Sequence, residues 1–229
     1  MAAILAYFVL QFGFGAAFNA AATYANRAYP TALPDAPDRL IVVVILTLLC
    51  AAAVVITWVV RRWAAQATDG GPGGLGFTAP EPRYVWIGTA LGLLAPILGG
   101  LLTQFLAGDH NVSQTVTDIA DKAHVGMRVA LLPAVVLVGP LVEEVLFRGA
   151  LLSILRTRLG DGWAIAISAT VFGAVHLPDL DGLWYAVPNL ILVGAFCAWL
   201  RVRSRSIWPA FIAHAANNAL ATVGWFASV

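Results

Sequence analysis

The chain has 229 residues, of which 60% are apolar and only 11% charged, and its formal net charge is +1. A soluble domain carries about a quarter charged residues, so a soluble reading fails. The near-neutral balance also offers no basic face for nucleic acid and no acidic tail for a cationic partner.

Crossing a hydrocarbon core of about 30 Å takes about 20 mostly apolar residues in a helix, because only a helix satisfies its own backbone there. Seven stretches qualify: about 3–23, 40–60, 84–106, 128–153, 162–178, 183–200 and 207–227. The expected fold class is an all-α polytopic transmembrane helical bundle of about seven spans, the last four of which contain ionisable or amide residues. No Lys or Arg precedes the first stretch, so it reads as a span and not as a cleaved signal. Cys50 and Cys197 lie singly in apolar runs, which predicts packed side chains and argues against redox chemistry or a thiolate zinc site.

Residues 68–82, rich in glycine and proline, read as a flexible cytoplasmic linker. They divide the chain into an N-terminal transmembrane helix pair over 1–67 and a second transmembrane domain over 83–229. Further on, Val112, Val116, Ile119 and Ala123 recur at helical spacing, which predicts a short helix lying in the membrane interface.

Arg61 and Arg62 follow the second stretch, Arg156 and Arg158 the fourth, and Arg201, Arg203 and Arg205 the sixth. The positive-inside rule puts these ends in the cytoplasm, with the N-terminus inside. The expected location is a cell membrane as a multi-pass protein, and the arginine- and alanine-rich composition points to a bacterial plasma membrane.

Ionisable residues inside a span cost on the order of 2.5–3.5 kcal/mol each even on the lenient insertion scale, so they mark structure or function. The fourth stretch holds Glu143, Glu144 and Arg148. Residues four apart share a helix face, so Glu144 and Arg148 can pair, while Glu143 points about 100° away with no base one turn along its own helix. Glu143 therefore reads as a general base. His176 closes the fifth stretch after Phe172, and His214 and Asn218 lie four apart on the seventh, with Asn217 a competing amide. A rise of 1.5 Å per residue from the arginine-bearing ends puts Glu143 and His176 about 20 Å deep, with His214 and Asn218 at roughly 11 and 17 Å. The four are expected to share one water-accessible cavity opening toward the cytoplasmic half.

The sequences from Glu143 to Arg148, from Phe172 to His176 and from His214 to Asn218 resemble, in this order, the three motifs of the CAAX-processing and bacteriocin-processing (CPBP, or Abi) intramembrane endopeptidases. The resemblance covers about residues 128–222. It implies that Glu143 activates water with help from His176, that His214 and Asn218 stabilise the oxyanion, and that Glu144, Arg148, Phe147 and Phe172 shape the site. It implies a membrane-associated peptide or protein as substrate. Members commonly have eight spans, one more than counted here. No cofactor is expected, because HExxH is absent; the alternative is a zinc ion on Glu143, His176 and His214. Competing readings are a proton-coupled transporter, against which no paired halves with matching broken helices are seen, and a non-catalytic immunity or binding protein on the same scaffold. The sequence sets no oligomeric state.

Overall fold

The computed structural model describes residues 2–30, 33–110 and 112–227. It is an all-α bundle, with no strand among the described residues. Long apolar runs give the long helices: α1 (Ala2–Ala28), α2 (Ala36–Arg62) and α3 (Pro82–Ala107), followed by the short α4 (Thr115–Lys122). Then comes one helical stretch, Val125–Ala174, made of α5 (Val125–Pro133), α6 (Gly139–Glu144) and α7 (Leu152–Ala174), with π-helical turns at Ala134–Val138 and Val145–Leu151. The chain ends with α8 (Val187–Ser204) and α9 (Trp208–Ala221), the latter continued by a 3-10 segment, Thr222–Phe226.

Five of these helical stretches are long and apolar enough to cross a membrane: α1, α2, α3, Val125–Ala174 and Trp184–Ser204. This is fewer than the seven expected, for two reasons. The fourth and fifth expected spans are arms of one stretch, broken at Gly160, whose backbone (φ 74°, ψ 172°) is one that glycine adopts and side-chain-bearing residues avoid. The seventh is α9, only 14 residues of α-helix before the 3-10 segment.

In the bundle α1 lies along α2, α7 along α8, and α3 along both α8 and α9. The main core cluster joins Ala3, Ile4 and Tyr7 of α1 with Val55 and Val59 of α2 and with Val142, Leu146, Phe147 and Phe172 of the 125–174 stretch.

The glycine-rich segment after α2 differs from the flexible linker expected. Its backbone carbonyls are captured by buried side chains from three later helices or turns. Arg201, fully buried, donates from Nη1 to Gly70 O at 2.9 Å and from Nη2 to Gly74 O at 2.8 Å. The Ser153 hydroxyl also reaches Gly74 O at 2.6 Å, and that of Ser206 reaches Thr78 O at 2.6 Å. Leu75 is driven wholly into the core. Composition announced turns; it carried no sign that cross-chain donors would hold them. These contacts gather the arginine-bearing ends of α2, α7 and α8 at one end of the bundle.

At the opposite end, the amphipathic pattern around α4 is spent on protein. Ala120 and Ala123 are buried in a cluster with Ile41, Leu131, Ala134 and Trp225, and Val116 and Ile119 pack against it. The helix thus caps the bundle, where a position in the membrane interface was expected. Nearby, Arg128 donates to the carbonyls of Ala123 and Asp121 at 2.9 and 3.1 Å and to that of Trp225, tying this cap to the chain's C-terminal turn. The His124 ring and backbone N–H both donate to the Asp38 carboxylate, at 2.8 and 2.9 Å, which ties the start of α2 to the start of α5.

This last link is pH-sensitive. The hydrogen bond and then the charge of Asp38 hold the His124 imidazole above its usual value, with a smaller contribution from Asp35. A raised folded-state value means a contribution fully present below the unfolded histidine value, about 6.5, and lost as pH rises through the higher folded one. Melting temperature should therefore fall with rising pH from near neutrality in the parent and fall less in Asp38→Asn. Equal slopes in a pH series of melts would remove the link from the account.

Candidate active site

Glu143 and Glu144 end α6, the six-residue α-helical piece between the two π-helical turns. Pro133 and Pro140 lack the N–H that an α-helix would use, and a helix deprived of donors commonly widens locally; such π turns recur at functional sites. Adjacent positions on α6 send the two carboxylates different ways. Glu144 is fully buried, whereas the Glu143 side chain keeps 19% of its surface exposed, facing a cavity.

Behind the cavity wall, Arg148 Nε stands 3.2 Å from Glu144 Oε2, both side chains fully buried, as an ion pair not aligned as a hydrogen bond. Arg148 Nη2 donates to Gly194 O at 3.0 Å, and the guanidinium lies 4.5 Å from the centroid of the Phe172 ring. Phe147 meets Phe172 edge to face at 5.2 Å. Phe172 in turn contacts both histidine rings, His176 at 4.8 Å and His214 at 5.5 Å. The four residues expected to shape the site thus form a single packed unit behind it.

His176 follows α7, and its Nδ1–H donates to Phe172 O at 2.7 Å. That fixes the ring with Nε2 turned to Glu143 Oε2, 3.8 Å away. His214 comes from α9, which approaches α3 closely enough that a Cβ on Gly92 would meet the Ala213 carbonyl. Its Nδ1–H donates to Glu144 Oε1 at 3.0 Å, and its Nε2 lies 3.7 Å from Glu143 Oε2. Two imidazoles on separate elements therefore aim equivalent nitrogens at one carboxylate oxygen, each braced through its other nitrogen.

The amides sit differently from the expected free oxyanion donor. Asn218 Nδ2 donates to Val135 O at 3.0 Å, while its Oδ1 accepts from Asn217 Nδ2 at 3.1 Å. Each amide group keeps a second N–H, and both residues line the same cavity as Glu143, His176 and His214.

The cavity has a volume of about 1000 Å³, at the upper end of ligand-pocket sizes. Its lining runs from Glu143 and His214 outward to Ser113, Gln114, Pro178 and Asp179. All of these lie away from the arginine-bearing end, so the expected opening toward the cytoplasmic half is corrected. The physical reason is the glycine-rich segment, which fills the arginine end with Leu75, Arg201, Ser153 and Ser206, all buried.

Two features escaped sequence reasoning. The His214–Glu144 hydrogen bond joins residues 70 positions apart, and no local spacing encodes it. The N-terminal helices also enter the cavity, through Tyr7 and Gln11 of α1 and Thr47 of α2; the one-turn spacing of Tyr7 and Gln11 was the available signal. Among the described residues no three His, Cys, Asp or Glu side chains converge closely enough to hold a metal ion. No step is derived through the alternative zinc set of Glu143, His176 and His214.

An all-α membrane bundle with a carboxylate and two braced imidazoles at the inner end of a cavity defines the class. Residues 125–220, less than half of the chain, match the family model described as type II CAAX prenyl endopeptidase Rce1-like, so the resemblance carried by the three motifs is borne out over that stretch. The match supports a CAAX-type intramembrane protease in general terms and, with the apolar helices, a multi-pass membrane protein. No curated protein and no solved structure matches the chain.

Proposed function

We propose that the chain is an intramembrane endopeptidase that hydrolyses a peptide bond of a membrane-associated peptide or protein through a water activated by Glu143. The supporting observation is the convergence of His176 Nε2 and His214 Nε2 on Glu143 Oε2 at 3.8 and 3.7 Å. These separations are too long for direct hydrogen bonds and suit a bridging water.

In this reading Glu143 takes a proton from water as its oxygen attacks the scissile carbonyl carbon. The Nδ1–H of His176 is committed to a backbone carbonyl, which turns Nε2 toward the same water. His214, its ring fixed by Nδ1–H on the Glu144 carboxylate, faces the developing oxyanion, to which Asn218 adds its remaining amide N–H. Collapse of the intermediate breaks the C–N bond, and Glu143 returns its proton to the leaving amine. Donors already oriented by Glu144 and by Val135 O need little rearrangement as the charge develops. A cytoplasmic N-terminus in a bacterial plasma membrane belongs to the same proposal.

The test is purified protein in micelles with a quenched-fluorescence peptide tethered to the membrane by an acyl chain. Cleavage is expected, and its absence across varied peptide sequences would refute the reading. Activity should survive exhaustive chelation, and Asn218→Ala should slow turnover by roughly 10²–10³ with little change in binding, the usual loss for one oxyanion donor. Loss on chelation with recovery on adding zinc would replace the metal-free mechanism.

A further inference from the structure

The chain's 13 Lys and Arg residues all lie among the described residues, and none of them lines the cavity. Arg148 is buried against Glu144 behind the cavity wall. Arg128, beside the lining residue Trp225, is spent on the carbonyls of Ala123, Asp121 and Trp225. The carboxylates that line the cavity are those of Glu143 and Asp179, and three imidazoles join them. His176 and His214 turn their Nε2 atoms to Glu143, and His110 lies with Nδ1 2.8 Å from Ala107 O, its ring stacked on Tyr185. Asp179 is anchored through its backbone: its N–H donates to His176 O at 3.0 Å, and its C=O accepts from the Thr115 hydroxyl at 3.3 Å. No ion pair among the described residues includes its half-buried carboxylate.

We propose that the cavity selects its peptide by charge: it favours a basic side chain two or three residues from the bond under attack and turns away a free α-carboxylate at that distance. The bond cut then lies away from its chain's C-terminus. The proposal rests on the endopeptidase reading and narrows its substrate class. Asp179 follows His176 by three residues, within the 3-10 turn Leu177–Leu180, and a rise of about 2.0 Å per residue sets the two about 6 Å apart. An extended peptide covers that distance in about two residues, at roughly 3.3 Å each. A basic side chain placed there meets a carboxylate that has no cation of its own. A terminal carboxylate placed there gives up water for a surface of like charge, with no Lys or Arg to receive it.

The experiment measures anisotropy of short Leu- and Ala-rich peptides carrying an uncharged dye, bound to the full chain with Glu143→Gln in nonionic micelles. The pH is held well above the ordinary histidine value of about 6.5, so that imidazole charge does not enter. One pair of peptides differs only in a free or amidated C-terminus, and a second, amidated pair carries Lys or norleucine at one central position. Lys should bind tighter than norleucine, and the free carboxylate weaker than the amide. Adding Asp179→Asn should cut each preference about fivefold, the upper worth of an ion pair still reached by solvent. Asp179→Glu should keep both preferences, and added salt should shrink them. Equal binding within the pairs, preferences unmoved by Asp179→Asn, or no binding of any peptide overturns the proposal. Because the assay needs no cleavage, Asp179-dependent preferences in a chain whose unmutated form cuts no peptide would sink the endopeptidase reading and leave the charge selection standing.

Discussion

Replacing Glu143 by glutamine should lower turnover by about 10²–10⁴, the range that general acid–base catalysis contributes, while leaving the protein folded. Glutamine has nearly the same shape, keeps a carbonyl oxygen near the two Nε2 atoms and cannot take a proton from water. Glu143 makes no hydrogen bond that holds helices together: its contacts are the two imidazoles at 3.7 and 3.8 Å, and its side chain keeps surface toward the cavity. Melting temperature should match the parent, and substrate binding should persist, so the loss appears in kcat. A Glu143→Gln protein that still cleaves at a tenth of the parent rate would move the base elsewhere.

Glu143 was legible in the sequence for the same reason that it should tolerate this change: it is an acid in an apolar run with no base one turn away. The placement of His176 and His214 beside it was also legible, because helical rise converts sequence distance from the arginine ends into depth. What the sequence withheld depends on contacts between distant elements. Residues 68–82 carry the composition of a loop, yet Arg201, Ser153 and Ser206 capture its carbonyls from far along the chain. That capture closes the arginine end and decides which way the cavity faces. The α4 pattern specified a helix with one apolar face, but an apolar face does not say whether lipid or Ile41 and Trp225 will cover it.

The pairing of Glu144 with Arg148 leads to the second large effect, and the structure makes it sharper than spacing alone. Arg148→Ala should cost about 3–5 kcal/mol of stability, because it leaves the fully buried Glu144 carboxylate without its cation. It also removes the guanidinium from the Phe172 ring and from Gly194 O. Glu144→Gln should cost less, since an amide oxygen can still accept from His214 Nδ1. Replacing both members, as Glu144→Leu with Arg148→Met, should restore much of the lost stability, because a buried ion pair exchanged for apolar groups of similar volume is often neutral. Activity should not return with it. His214 would lose the carboxylate that fixes its ring, and outer partners of this kind are typically worth 10–100-fold. Melting curves and turnover measured on the same four proteins therefore separate two roles of one glutamate. Single variants that melt like the parent would show that the pair does not hold the fold. A stable double variant with full activity would show that Glu144 does not position His214.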